Sequence, residues 1–122
     1  MILIYGGAYQ GKLDFARAQY GLSEDEIQVC GAHTRALDGS KRCLAYVEKW
    51  ALNCVRAGED PLEAFKVRED AIVIATDISC GVVPMDGTLR AWREACGRLN
   101  AQIAARSEAV WRLFCGIPER LK

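Results

Sequence analysis

The chain opens on an unbroken apolar run, Ile2-Leu3-Ile4-Tyr5, that stops at Gly6-Gly7. Such a run ahead of a glycine pair predicts a short buried strand. Residues 12–20, KLDFARAQY, predict a helix that stops near Gly21. EIQVC at 26–30, bounded by Gly31, is a second strand candidate, and GAHTRALDGS is loop-like. From Ser40 to about Ala57 apolar residues recur at Leu44, Val47, Ala51, Cys54 and Val55, a helical spacing ended by Gly58. Asp60-Pro61-Leu62-Glu63 marks another helix start. Asp60 can cap it, Pro61 suits its first turn, and Glu63 can reach back as in a capping box. AIVIAT at 71–76 is the strongest strand, continuous and β-branched as in a parallel sheet covered on both faces. Leu89, Trp92, Cys96, Leu99 and Ile103 then step by three and four along a long amphipathic helix. On its other side Glu94 and Arg98 can pair. Gly97 in its middle costs about 1 kcal/mol relative to Ala, which implies close packing there. The last strand is AVWRLFC, 109–115, where Arg112 implies an exposed face or an edge position.

The resulting order is β-α-β-α-(α)-β-α-β. Strands alternating with helices predict an α/β layer architecture around a mainly parallel sheet. No repeat, low-complexity tract or linker divides the chain, so residues 1–122 read as one domain. Lys plus Arg and Asp plus Glu both number 16, for a net charge of zero. That balance gives no general attraction to nucleic acid or to an anionic membrane, and no apolar run has the length of a membrane span. The six cysteines, 30, 43, 54, 80, 96 and 115, include no CxxC pair. Four of them fall in apolar periodic stretches, and the run before Gly6 is too short for a secretory segment. They read as reduced core thiols of a cytoplasmic protein rather than as a disulfide framework or zinc site.

The candidate chemistry sits where the first strand meets the first helix. Gly6, Gly7, Ala8, Tyr9, Gln10, Gly11, Lys12 and Leu13 follow the phosphate-loop pattern G-x-x-x-x-G-K-[ST] except at the last position. The glycines let backbone N–H groups turn toward phosphate oxygens, and the helix N-terminus adds partial positive charge. Lys12 would reach the β- and γ-phosphates of ATP or GTP. Leu13 replaces the hydroxyl that normally ligates Mg²⁺, a hard cation that wants oxygen. The alternative is a tight strand-to-helix turn and nothing more. With the loop, the pattern predicts a P-loop NTPase-like three-layer domain.

The C-terminal third carries a more specific likeness. Asp77 after a strand, Gly81-Val82-Val83-Pro84, Arg90, Arg93, Gly97, Asn100, Ala104 and Gly116-Ile117-Pro118 occur in order, and the loop begins Gly-Gly-Ala-x-x-Gly-Lys. In these motifs the chain resembles the adenosylcobinamide kinase / adenosylcobinamide-phosphate guanylyltransferase family. Trp50 to Asn53 is similar to that family's Trp-x-x-Asn. The resemblance implies a late step of cobalamin assembly. A nucleoside triphosphate phosphorylates the aminopropanol hydroxyl of adenosylcobinamide, and GTP then gives up GMP through a guanylyl-histidine. It also implies a corrinoid partner and a symmetric homo-oligomer that completes the corrinoid site. Three departures accompany it: Leu13, Asp77 where the family commonly has Glu, and a shortened middle without the His-Arg-rich helix that bears the family's histidine.

The lone histidine, His33, follows the second strand candidate. It is either the guanylyl acceptor, since imidazole is a competent nucleophile near neutral pH, or a solvated loop side chain. Asp77, at the carboxyl end of the best strand, stands where ligands bind in open α/β sheets. It would hold Mg²⁺ through water or take the proton from the attacking hydroxyl; otherwise it is a turn Asp bonding its own backbone. Asp38 is a second acidic candidate or an ordinary Asp-Gly turn. Arg90 and Arg93 suit phosphate or a solvated helix face. Trp50, Trp92 and Trp111 read as core or subunit-contact aromatics.

Overall fold

The computed structural model describes residues 1–79 and 86–122; the expected Gly81–Pro84 turn lies outside them. The described elements are β1 (Ile2–Gly6), α1 (Lys12–Tyr20), a 3-10 turn (Glu24–Glu26), β2 (Ile27–Val29), β3 (Cys43–Ala45), α2 (Val47–Arg56), α3 (Pro61–Ala64), β4 (Ile72–Thr76), α4 (Gly87–Arg106), β5 (Ala109–Phe114) and β6 (Ile117–Arg120). They form one six-stranded sheet in the order β2-β3-β4-β1-β5-β6. Only the β5–β6 pair is antiparallel.

Alternation within the strands builds two cores, because successive strand residues point to opposite faces. Leu3, Leu44, Val73 and Val110 face a layer holding Trp50 of α2 and Cys96, Leu99 and Ile103 of α4. Ile4, Cys43, Ile72, Ile74 and Leu113 face Ala16 of α1. Helices therefore cover both faces, the three-layer P-loop NTPase-like architecture the sequence predicts.

Two strands escape the periodicity. Residues 43–45 are not the first turn of a helix but β3, buried on both faces. A short fully apolar run fits strand or helix equally well, so Leu44 could be assigned to the helical stripe that follows it. The break is at Tyr46, whose φ of 61° is left-handed, and α2 begins one residue later. The other addition is β6, paired to β5 through a Cys115-Gly116 turn with positive φ at both residues, the geometry of a two-residue hairpin. β5 is thereby an interior strand. Arg112 instead occupies an exposed face and pairs with Glu119 at 3.6 Å.

The helix ends follow local chemistry. Gly11 and Gly21 bracket α1 in left-handed conformations. The Asp60 side chain accepts from the Leu62 N–H to start α3, with Pro61 next to it. Asp86 caps α4 by accepting from Thr88 and Leu89. Glu94 and Arg98 pair at 3.8 Å. Gly97 departs from expectation: a Cβ there would meet open space, so no close packing explains it. Among the described residues Cys30, Cys43, Cys54 and Cys96 are buried free thiols and Cys115 is an exposed one. Burial pushes Cys30, Cys43 and Cys96 up to about 12, which makes them inert hydrophobes. Among the described residues no helix is long and apolar enough to cross a membrane.

Gly6 is the tightest point of the scaffold. A Cβ there would lie 2.5 Å from the Leu113 carbonyl oxygen on the neighbouring strand. Gly6→Ala is expected to lower stability by about 1–3 kcal/mol through forced backbone displacement, read as a drop in urea midpoint; an unchanged midpoint would contradict this packing.

Candidate functional site

The parallel register decides what meets at the carboxyl edge of the sheet. Gly6 is opposite Thr76, and Ala45 is opposite Ile74. The chain leaving β1, the start of α2 and the end of β4 therefore converge there, as the general rule for ligand sites in open α/β sheets requires. A cavity of about 510 Å³ opens between them, lined by residues 8–14 and Arg17 from the loop and α1, by Tyr46, Glu48 and Lys49, and by Thr76.

The loop supplies the first wall. Gly11, with φ 80°, turns the chain into α1 and offers no side-chain cap. The first N–H groups of α1 are thus left for a ligand or water. Gln10 accepts a hydrogen bond from the Cys115 N–H, which ties the loop to the β5–β6 turn. Tyr9 is fully exposed and also left-handed, at φ 60°. Lys12 is buried, and its Nζ donates to the Gly7 carbonyl oxygen at 2.6 Å. Burial lowers its pKa, and the negative charge of Glu48 works in the opposite direction. Leu13 lines the cavity and packs against the α1-side core, with no oxygen to offer a cation.

The second wall comes from residues that sequence reasoning overlooked. Tyr46 donates its N–H to Ile74 O at 2.8 Å. Its ring centre lies 5.9 Å from Lys12 Nζ and 5.3 Å from Lys49 Nζ, so the aromatic face stands between two ammonium groups. A bulky residue held at positive φ costs on the order of 1–3 kcal/mol, a strain that concentrates at ligand sites. Glu48 is buried, and its Oε1 accepts the Thr76 N–H at 2.9 Å. Its backbone carbonyl accepts from Trp92 Nε1 at 2.7 Å. These bonds clamp α2 to β4 and α4. Reading Cys43–Ala45 as a strand would have placed Glu48 at a strand's carboxyl end and singled it out.

The expected site residues divide. Gly6 through Leu13 make the connection from β1 into α1, with Gly6 ending the strand and Lys12 beginning the helix. Asp77 follows β4 and sits beside the loop's base, its N–H donating to Gly6 O at 2.8 Å. Its Oδ1 accepts from the Ser79 N–H at 2.8 Å and the Ser79 hydroxyl at 2.5 Å, and it does not line the cavity. His33 is exposed in a loop held to the far part of α2, where Asn53 Nδ2 donates to Thr34 O at 2.7 Å. It leaves from β2, three strands from β1, which is about 14 Å across the sheet. The structure does not bring it to Lys12. Asp38 is a turn residue that accepts from the Ser40 N–H at 3.0 Å. Arg93 donates to the Ser79 carbonyl, and Arg90 lies on an exposed helix face. Trp50 stacks near Phe65, and Trp111 near Phe15, as core aromatics.

The donor set suits a polyphosphate: Lys12, Lys49 and unoccupied helix N–H groups. Among the described residues no three His, Cys, Asp or Glu side chains gather to hold a metal alone. Mg²⁺ accompanying a nucleotide takes its ligands mainly from phosphates and water, with one or two carboxylates. That requirement fits a cavity with one buried carboxylate.

Residues 40–121 match the family described as cobinamide kinase / cobinamide phosphate guanyltransferase. The loop lies outside that stretch. The chain is 31% identical over 51 residues to a bifunctional adenosylcobalamin biosynthesis protein CobU of Escherichia coli, a match covering 42% of this chain and 28% of the relative. It is 29% identical over 51 residues to the protein of the same description from Salmonella typhimurium, with the same coverage. The match thus spans little more than a quarter of either relative's length.

The clamp between Glu48 and Thr76 is open to a direct check. Glu48→Ala leaves a part-buried N–H without its acceptor and is expected to cost about 1–3 kcal/mol in urea denaturation. Glu48→Gln retains an acceptor oxygen and is expected to lose less; equal losses would mean that the hydrogen bond is not what holds α2 here.

Proposed function

The chain belongs to the cobinamide kinase / cobinamide phosphate guanyltransferase family, and from that premise we propose that it binds ATP or GTP at the Gly6–Leu13 loop and phosphorylates a cobinamide in cobalamin biosynthesis. The observation that carries this reading is Lys12: a buried ammonium group bonded, among the described residues, only to its own loop carbonyl, Gly7 O, at the mouth of a helix. An arriving phosphate offers it a stronger, charge-assisted bond. The loop amides and the α1 N-terminus take the remaining phosphate oxygens.

In the transfer, the acceptor hydroxyl oxygen attacks the γ-phosphorus. The bond to the β–γ bridging oxygen breaks, and the nucleoside diphosphate leaves. Lys12 counters the charge on the transferred group. The hydroxyl proton passes to a carboxylate at the strand edge, for which Asp77 beside Gly6 is the sequence-derived candidate. The cavity is open to solvent beyond the strand ends, where a large corrinoid can lie across the surface. GMP transfer through His33 draws no support from the cavity, which His33 does not line. Bound Mg²⁺ would supply further neutralisation of phosphate charge.

One observation favours a second reading, a nucleotide-binding relative without kinase activity: Leu13 stands in the wall where a hydroxyl is normally found. The two readings part in one assay. Incubation with γ-labelled ATP or GTP and adenosylcobinamide is expected to give labelled corrinoid, and Lys12→Ala to reduce the yield by about a hundredfold or more, the scale of losing one preorganised charge in a transition state. Nucleotide binding without any labelled product would decide for the second reading.

A further inference from the structure

Glu48 lines the cavity as a buried carboxylate that the binding of phosphate does not explain. An acidic side chain there repels the polyphosphate that Lys12 and the loop attract. It is nonetheless 95% buried, its exposure being 5%. Burying a carboxylate is costly, and Glu48 keeps one oxygen open to the cavity. Oε1 accepts the Thr76 N–H. Oε2 takes no hydrogen bond from any described residue, and no described Lys, Arg or His forms an ion pair with Glu48. Lys12 is near enough to feel its charge but spends its hydrogen bond on Gly7 O.

The loop wall of the cavity lacks an oxygen where one is expected. Leu13 follows Lys12 and presents only carbon to the cavity. Of the other carboxylates nearby, Asp14 is paired and Asp77 does not line the cavity. Asp14 pairs with Arg17 at 3.2 Å, and Asp77 Oδ1 holds both Ser79 groups. A carboxylate with one oxygen open to the cavity and a missing metal ligand thus share one site. We propose that Glu48, delivered from the start of α2, is the carboxylate that holds the divalent cation of a bound nucleoside triphosphate, in place of the hydroxyl absent at Leu13. The inference deepens the nucleotide reading above and stands on it. It makes Leu13 a relocation of the metal contact rather than its loss. Mg²⁺ binding through a single protein carboxylate, with phosphates and waters completing the shell, is ordinary for nucleotide sites.

The test is calorimetric titration of the full chain with ATP and with GTP, each in EDTA and in excess Mg²⁺. Wild type is expected to bind in EDTA and to gain about tenfold or more on adding Mg²⁺, equivalent to about 1.4 kcal/mol. Glu48→Gln, which keeps an acceptor for Thr76 but removes a repelling charge, should bind at least as tightly as wild type in EDTA and show almost none of the Mg²⁺ gain. Adding Leu13→Ser to Glu48→Gln should restore part of it. A Glu48→Gln protein with the full Mg²⁺ gain overturns the inference and leaves the nucleotide reading intact, whereas wild type that binds neither nucleotide in either buffer overturns the nucleotide reading itself. A measurement on the unsubstituted chain guards against misfolding of the variant. Titrated Mn²⁺–nucleotide should bleach the Glu48 side-chain carboxyl resonance before that of Asp77; the reverse order also overturns the inference.

Discussion

A buried ammonium group and a buried carboxylate open onto the same cavity, and the architecture around them is what makes that arrangement tolerable. Lys12 and Glu48 are each almost wholly removed from solvent. Neither forms a close ion pair with the other. Each is instead anchored to backbone: Lys12 to the Gly7 carbonyl, Glu48 to the Thr76 N–H. Such an arrangement survives only if the backbone groups cannot drift. The sheet register supplies that rigidity. Gly6 opposite Thr76 sets the ends of β1 and β4 level, β3 ends two residues short with Ala45 opposite Ile74, and Gly6 allows β5 to press close beside β1. Lys12, Lys49, Glu48 and a row of helix N–H groups are thereby displayed on one edge of a largely apolar three-layer core.

Much of this was legible before the coordinates. Strands β1 and β4 announce themselves as uninterrupted apolar runs, and α4 by steps of three and four from Leu89 to Ile103. The loop carries its own pattern, because glycine at positions 6 and 11 and lysine at 12 answer separate physical demands: close strand approach, positive φ and a buried ammonium. What the pattern hid is equally specific. Cys43–Ala45 is too short to show a period, and the apolar residues of α2 extend its stripe backwards through Leu44. Only the left-handed turn at Tyr46 separates strand from helix, and nothing in a tyrosine predicts positive φ. Losing β3 meant losing Glu48, since a glutamate in the second turn-forming position of a helix reads as ordinary dipole chemistry. Gly97 misled in the other direction: its cost within α4 suggested packing, and the space beside it is open.

Asp77 and His33 show how far position along a chain falls short of position in a site. Both follow strands that run in the same direction, so both reach the carboxyl side of the sheet. Asp77 follows β4, next to β1, and its backbone touches Gly6. His33 follows β2 at the sheet's outer edge, and its loop folds down against the C-terminal half of α2, fixed by Asn53 and by Arg35, which donates to Asn53 O at 2.7 Å. The geometry of the lysine loop lies outside the matched stretch, yet it meets that stretch at Tyr46, Glu48 and Thr76.

The account turns on whether Lys12 exchanges its loop carbonyl for a phosphate. A crystal structure of the chain with a non-hydrolysable ATP or GTP analogue tests this most directly. The account predicts phosphate density within the Gly7–Lys12 turn and Lys12 Nζ moved from Gly7 O onto a β- or γ-phosphate oxygen. Analogue bound elsewhere, with Nζ still donating to Gly7 O, would contradict it.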